Sequence, residues 1–265
     1  IALTNLNRPD EALACFDQAL ALNPRYVQAL NNRSLVRLEL QQGEPALIDA
    51  EAALALQPGL MPAHRQRANA LLLLDRPTEA LESIDTALSL AGDDARNHAA
   101  KGEILDALGR HDEALVAFDR AVSLSPADAD SIFGRGCSHL RHHTFEAGWR
   151  DYQSRWSRPR FVRTSWRHPL ELLARRDDHA RLTGQRVLIV GEQGIGDEIM
   201  FASVIPDLLA DASHVAWIAD ERLQRLLRNS FPTVEFASSL DGLDLAAFDH
   251  IIPAGDLCRR YRNSI

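Results

Sequence analysis

The chain has 265 residues, a formal net charge of −8, 46% apolar side chains and 25% charged ones. That is the balance of a soluble globular protein with one large domain or two ordinary ones, and its acidity excludes a general nucleic-acid binder. The longest apolar runs, such as residues 70–74 and 187–190, are too short to cross a bilayer. Cys15, Cys137 and Cys258 match neither a zinc spacing nor a disulfide framework, which points to a reducing, cytoplasmic setting.

From the N-terminus the dominant feature is a repeat. Ala12, Ala46, Ala80 and Ala114 recur every 34 residues, as do Ala19, Ala53, Ala87 and Ala121. Phe16, Ala50, Ile84 and Phe118 lie between these columns, Ser34, Ala68, Gly102 and Gly136 form another small-residue column, and Pro24, Pro58, Gly92 and Pro126 close each unit. Small residues let two antiparallel helices approach, and the larger residue between them fills the gap. A Pro or Gly then stops the second helix. Turns such as those at 7–9 and 109–112 join the helices of a hairpin, and stacking covers the apolar face that each hairpin leaves.

This pattern resembles the tetratricopeptide (TPR) family over residues 1–157, about 4.5 repeats of 34 residues with a fifth starting near Ala129. The resemblance implies an all-α solenoid whose groove takes a protein or peptide partner. Candidate groove positions on the first helices are Asn31, Leu35, Arg65, Asn69 and Glu103, which form no uniform ladder of amides or charges, so the partner's identity is not legible.

An arginine-rich junction follows. Gly148, Trp149, Tyr152 and Trp156 have the spacing of a buried helical stripe, which favours a structural cap over single-strand nucleic-acid binding. His139, His142 and His143 lack acidic or cysteine partners at ligand spacing and read as a surface cluster, not a metal site. Residues 158–183, with Pro159, Trp166 and Pro169, read as a linker with one short helix near 170–175.

At Gly184 the pattern changes to strands and helices in alternation. Strands are expected at 186–190, 214–219, 234–237 and 250–253, and helices at 198–210, bent or interrupted at Pro206, and at 222–229. Alternation implies a doubly wound parallel sheet over 184–265. After the first strand comes Gly191-Glu192-Gln193-Gly194-Ile195-Gly196-Asp197, which is neither the dinucleotide fingerprint nor a P-loop. Its glycines permit a tight turn and close approach by a ligand, and Asp197 falls at or near the helix cap.

Residues 191–202, together with Phe248-Asp249-His250-Ile251-Ile252-Pro253 and Gly255-Asp256-Leu257, resemble bacterial TPR-glycosyltransferase proteins. These carry repeats followed by a GT-B region similar to the lipopolysaccharide heptosyltransferases and to the O-linked N-acetylglucosamine transferases. The resemblance implies a Rossmann-like GT-B N-terminal half, with Asp197 as general base for an acceptor hydroxyl and Glu192, Gln193, Gly194 and Gly196 shaping the acceptor pocket. A helix-capping role for Asp197 stands beside the catalytic one, and the two are compatible. The donor, a nucleotide sugar, is expected to bind a second half absent from this sequence. The chain, which begins without Met inside a repeat, reads as cut at both ends, inactive alone, and without a cofactor or metal of its own. The alternative is a non-catalytic TPR scaffold with a degenerate transferase fold.

Overall fold

The computed structural model describes residues 8–91, 93–158, 161–162, 168–169, 171–172 and 181–263. The chain forms two compact units, Ile1–His142 and His143–Ile265. Asn7, Gly92, Pro159, Trp166 and most of the expected 170–175 helix lie outside the described residues.

The first unit is a run of antiparallel helices: α1 (Pro9–Leu22), α2 (Val27–Glu39), α3 (Gly43–Leu56), α4 (Met61–Leu73), α5 (Pro77–Ala91), α6 (Ala95–Ala107), α7 (His111–Leu124) and α8 (Ala129–Arg141). Helices α1, α3 and α7 end two residues before Pro24, Pro58 and Pro126, because the residue before a proline is driven out of the helical region. Helix α7 starts at His111, so the turn before it is shorter than the four residues expected. Asp94 and Asp128 cap α6 and α8 by accepting backbone N–H groups of Asn97 and Ser131 at 3.3 and 3.0 Å.

Among the described residues of this unit, the turns between the two helices of a hairpin each hold one left-handed residue, Gln41 (φ 60°), Asp75 (57°) and Gly109 (72°), and His143 at the start of the next unit has the same conformation (57°). These positions also keep the 34-residue period. Among the small columns, Ala46, Ala80, Ala114, Ala53, Ala87 and Ala121 are wholly buried, as is Ser34, whose hydroxyl donates to the Ala46 carbonyl at 2.8 Å. Phe118 fills the space left by two glycines. A Cβ on Gly134 would lie 2.6 Å from its Cε1, and one on Gly102 2.8 Å from its Cδ2.

A second ladder runs between hairpins. Arg33 pairs with Asp17 at 2.6 Å, Arg67 with Glu51 at 3.2 Å, Lys101 with Asp85 at 2.7 Å and Arg135 with Asp119 at 2.9 Å. Each joins a first helix to the second helix of the preceding hairpin, at a fixed offset of 16 residues.

The second unit begins with α9 (Phe145–Tyr152) and a 3-10 turn, Gln153–Ser157. It continues through β1 (Arg186–Val190), α10 (Ile195–Phe201), a 3-10 turn at Ala202–Val204, α11 (Ile205–Asp211), β2 (His214–Ile218), α12 (Glu221–Ser230), β3 (Glu235–Ala237), β4 (His250–Pro253) and α13 (Ala254–Tyr261). The helix after β1 starts three residues before the expected Glu198, and the break falls just ahead of Pro206, which sits in the first turn of α11. The four strands are all parallel in the order β3-β2-β1-β4. Leu188, Val190, Ala216, Ile218 and Ile251 form one buried cluster with Leu172 and Phe248. Val187, Ile189, Val215 and Trp217 alternate with them and are also buried, as expected for a parallel sheet covered on both faces. What is present is a small parallel sheet; it does not by itself show the Rossmann-like GT-B N-terminal half expected from the sequence.

Candidate functional site

Ligands in open parallel sheets gather at the carboxyl ends of the strands. Here a cleft of about 680 Å³ lies there, lined by Gly191 and Glu192 after β1, Ala219 and Asp220 after β2, and Ser238 and Ser239 after β3. His168 joins the rim, with Nε2 at 3.0 Å from the Gly191 carbonyl.

The loop after β1 is held from below. Glu192 is 2% exposed. Its Oε1 accepts the Gly255 N–H at 2.7 Å and Arg155 Nη2 at 3.0 Å, and its Oε2 accepts Arg155 Nε at 3.1 Å. Arg155 also reaches Asp256 at 2.5 Å and lies 4.6 and 4.5 Å from the ring centres of Tyr152 and Trp156. Burial works against the guanidinium's charge, and the carboxylates of Glu192 and Asp256 outweigh it, holding the pKa above its ordinary value. The close approach requires Gly255, where a Cβ would lie 2.7 Å from Glu192 Oε1. Arg155 thus ties the turn after β1 to the turn after β4, on the two sides of the point where the strand order reverses.

The other expected site residues separate into two groups. Glu192 and Gln193 line the cleft; Gly194, Gly196 and Asp197 do not. Gln193 takes a left-handed conformation (φ 65°) and donates from Nε2 to the Tyr152 hydroxyl at 2.6 Å. Asp197 stands in the first turn of α10, and its Oδ2 accepts the Gly194 N–H at 3.2 Å. Glu198, 7% exposed, accepts the Asp220 N–H at 3.0 Å. Two backbone donors of the kind that hold phosphates in other α/β folds are therefore occupied by the chain's own carboxylates. Among the described residues, no group of three or more His, Cys, Asp or Glu side chains is placed to hold a metal ion.

Arg155, Gly255 and Asp256 are the residues that the sequence reading missed as a set. One signal was available: Arg155 falls three residues after Tyr152, on the stripe marked as buried.

In the first unit, α2, α4, α6 and α8 pack against one another in succession, so the first helices form a continuous face. On it Leu35 is 41% exposed, Glu103 is exposed, and Asn31 and Asn69 are half-buried. Arg65 donates from Nη1 to Asn97 Oδ1 at 2.9 Å. Outside it, a cleft of about 480 Å³ on α6 and α7 is lined by His98, Lys101, Val116 and Arg120.

Residues 1–60 and 65–129 match the tetratricopeptide repeat family. The helical unit is that of a TPR repeat protein. A thermophilic TPR protein of Thermus thermophilus superposes with a TM-score of 0.56 at 22% identity, over 61% of this chain and 89% of that one. PilW, a type IV pilus biogenesis factor, gives 0.53 at 18% identity, over 59% and 73%. Likeness at such identities shows the fold alone. Protein FlbA of Caulobacter vibrioides is 34% identical over 96 residues, which are 33% of this chain and 15% of that protein. Among the described residues, no helix is long and apolar enough to cross a membrane.

Proposed function

We propose that this chain is a recognition scaffold whose TPR array binds a segment of a partner protein along α2, α4, α6 and α8. The observation that carries this is the exposure of side chains on the continuous face of the first helices. Leu35 and Glu103 are exposed there, while the repeated small-residue columns are sealed. Selection of displayed 12-residue peptides by the protein, followed by Leu35→Glu and Asn69→Arg variants, tests it. Peptides that bind wild type and are lost with both variants support the reading; peptides indifferent to both oppose it.

A second reading concerns the α/β unit as the acceptor half of a glycosyltransferase acting with a nucleotide sugar. It is supported by the strand order β3-β2-β1-β4 and by a cleft whose rim includes Glu192 and Gln193. Asp197, the candidate base, accepts the Gly194 N–H through Oδ2 alone, so its other carboxylate oxygen can serve an acceptor hydroxyl without loss of the cap. Calorimetry of a longer parent chain against nucleotide sugars, with Asp197→Asn assayed for transfer, decides this reading. Full transfer by the variant removes Asp197 from the chemistry, and absence of donor binding leaves the scaffold alone.

A further inference from the structure

The geometry points to Arg65 as an anchor for a side-chain carboxylate, Asp or Glu, on the segment that the TPR array binds. This rests on the recognition reading above and names the chemistry of its partner.

Arg65 differs from the other buried arginines of the array. Arg33 holds Asp49 through two nitrogens and Asp17 through a third. Arg65, whose side chain is only 11% exposed, has Asp94 no nearer than 3.8 Å. That carboxylate is already used: Oδ1 accepts the Arg96 and Asn97 N–H groups and Oδ2 accepts Arg96 Nη2. The remaining partners of Arg65 are neutral, the Asn97 amide oxygen at 2.9 Å and the Met61 sulfur at 3.8 Å. Burial and the charge of Arg96 pull the guanidinium's pKa below its ordinary value in spite of Asp94. A charge in this position is short of a counter-ion.

The amide bonded to Arg65 is also incomplete. Asn97 is fully buried, and its Nδ2 has no acceptor among the described residues, a costly state for a buried donor. Asn97 therefore holds the guanidinium from the adjacent first helix through its amide oxygen, and the incoming carboxylate accepts from the exposed edge of Arg65. The repeat itself does not demand this arginine: the same column holds Asn31, Ala99 and Phe133, unlike the basic ladder at 33, 67, 101 and 135. Position on the array selects the source of the carboxylate. Helix α4 has first helices on both sides, α2 and α6, so an extended segment runs past Arg65 and offers a side chain there, not a chain end.

The test is selection from a displayed library of random 12-residue peptides with blocked C-termini, run on wild type, Arg65→Gln and Arg65→Lys, with thermal melts to establish that each variant is folded. The expected result is Asp or Glu enriched at one register with wild type and retained with Arg65→Lys. That enrichment is lost with Arg65→Gln, and individual acidic peptides bind this variant about 10-fold more weakly or worse, as for loss of a charge-assisted contact. Asn97→Ala gives a weaker loss in the same register. Peptides enriched without an acid, or the same acid preference in Arg65→Gln, overturn the anchor and leave the recognition reading standing. Binding that appears only when the C-terminus is free overturns the side-chain assignment. Enrichment of no peptide overturns both readings together.

Discussion

Arg155 and Glu192, 37 residues apart in sequence, face each other at 3.0 Å with both side chains fully withdrawn from water. The pair links the turn Gln153–Ser157 to the loop after β1, so a segment that the sequence pattern assigns to the repeats is part of the α/β unit's interior. Removing one partner leaves the other charge buried and alone. Glu192→Gln or Arg155→Met is expected to destabilise this unit by about 3–5 kcal/mol. All four tryptophans, at 149, 156, 166 and 217, fall in the range of this unit, so tryptophan fluorescence in urea reads the loss directly. An unchanged midpoint would contradict the pair's role.

Phe118 and its two glycines give a test in the array. Gly134→Ala places a methyl 2.6 Å from Phe118 Cε1 and is expected to cost about 1–3 kcal/mol from overpacking. Adding Phe118→Leu to Gly134→Ala is expected to recover part of that loss, although Phe118→Leu alone is destabilising. Circular dichroism melts of the two single variants and the double variant measure the coupling.

The left-handed turn residues predict a gain. Gln41 and Asp75 carry φ angles of 60° and 57°, which cost a non-glycine residue roughly 1–2 kcal/mol. Glycine already stands at the equivalent position 109. Gln41→Gly and Asp75→Gly are each expected to raise stability by up to about 1 kcal/mol, net of the unfolded chain's added entropy.

Acid is expected to weaken the array in two stages. Burial first, and then Lys101, hold His98 below its ordinary pKa against the opposing charge of Asp94. The unfolded chain therefore binds that proton more tightly than the folded one. Stability is intact above the unfolded value of about 6.5 and falls as the pH drops through it. Asp94, held below its ordinary pKa by Arg96 and Arg65 in spite of its burial, contributes a further loss that starts only near pH ~4. Melts at pH 7.5, 6.5 and 5.5 in wild type and His98→Asn check the first stage: the variant is expected to have the flatter slope.

Thiol labelling separates the cysteines. Cys15 is exposed, whereas Cys258 is 2% exposed and its pKa is pushed up to about 12 by burial. Iodoacetamide at pH 8 is expected to modify Cys15 within minutes and Cys258 only after denaturation, since the thiolate is the nucleophile.

The repeat was legible because its small-residue columns must recur wherever two helices touch, and Ala46, Ala80 and Ala114 are accordingly sealed. The ion-pair ladder follows the same period and was less visible, since one rung has Glu51 in place of Asp and another has Lys101 in place of Arg. The strands were legible as short β-branched runs, 186–190 and 250–253 with the observed bounds. Arg155 was not, because its partners lie 37 and 101 residues away, and no local pattern records such a pairing. The glycine loop signalled a turn correctly, but sequence could not tell that Glu192 would point into the interior.

The first-helix face of the array is tested most directly by photo-crosslinking in the native cell. A benzophenone amino acid is placed at Leu35 or Glu103, on first helices, and at Ile48 or Val116, which are 63% and 71% exposed on second helices. The account predicts one partner protein crosslinked from Leu35 and Glu103 and absent from Ile48 and Val116. A partner captured from the second-helix positions alone would contradict it.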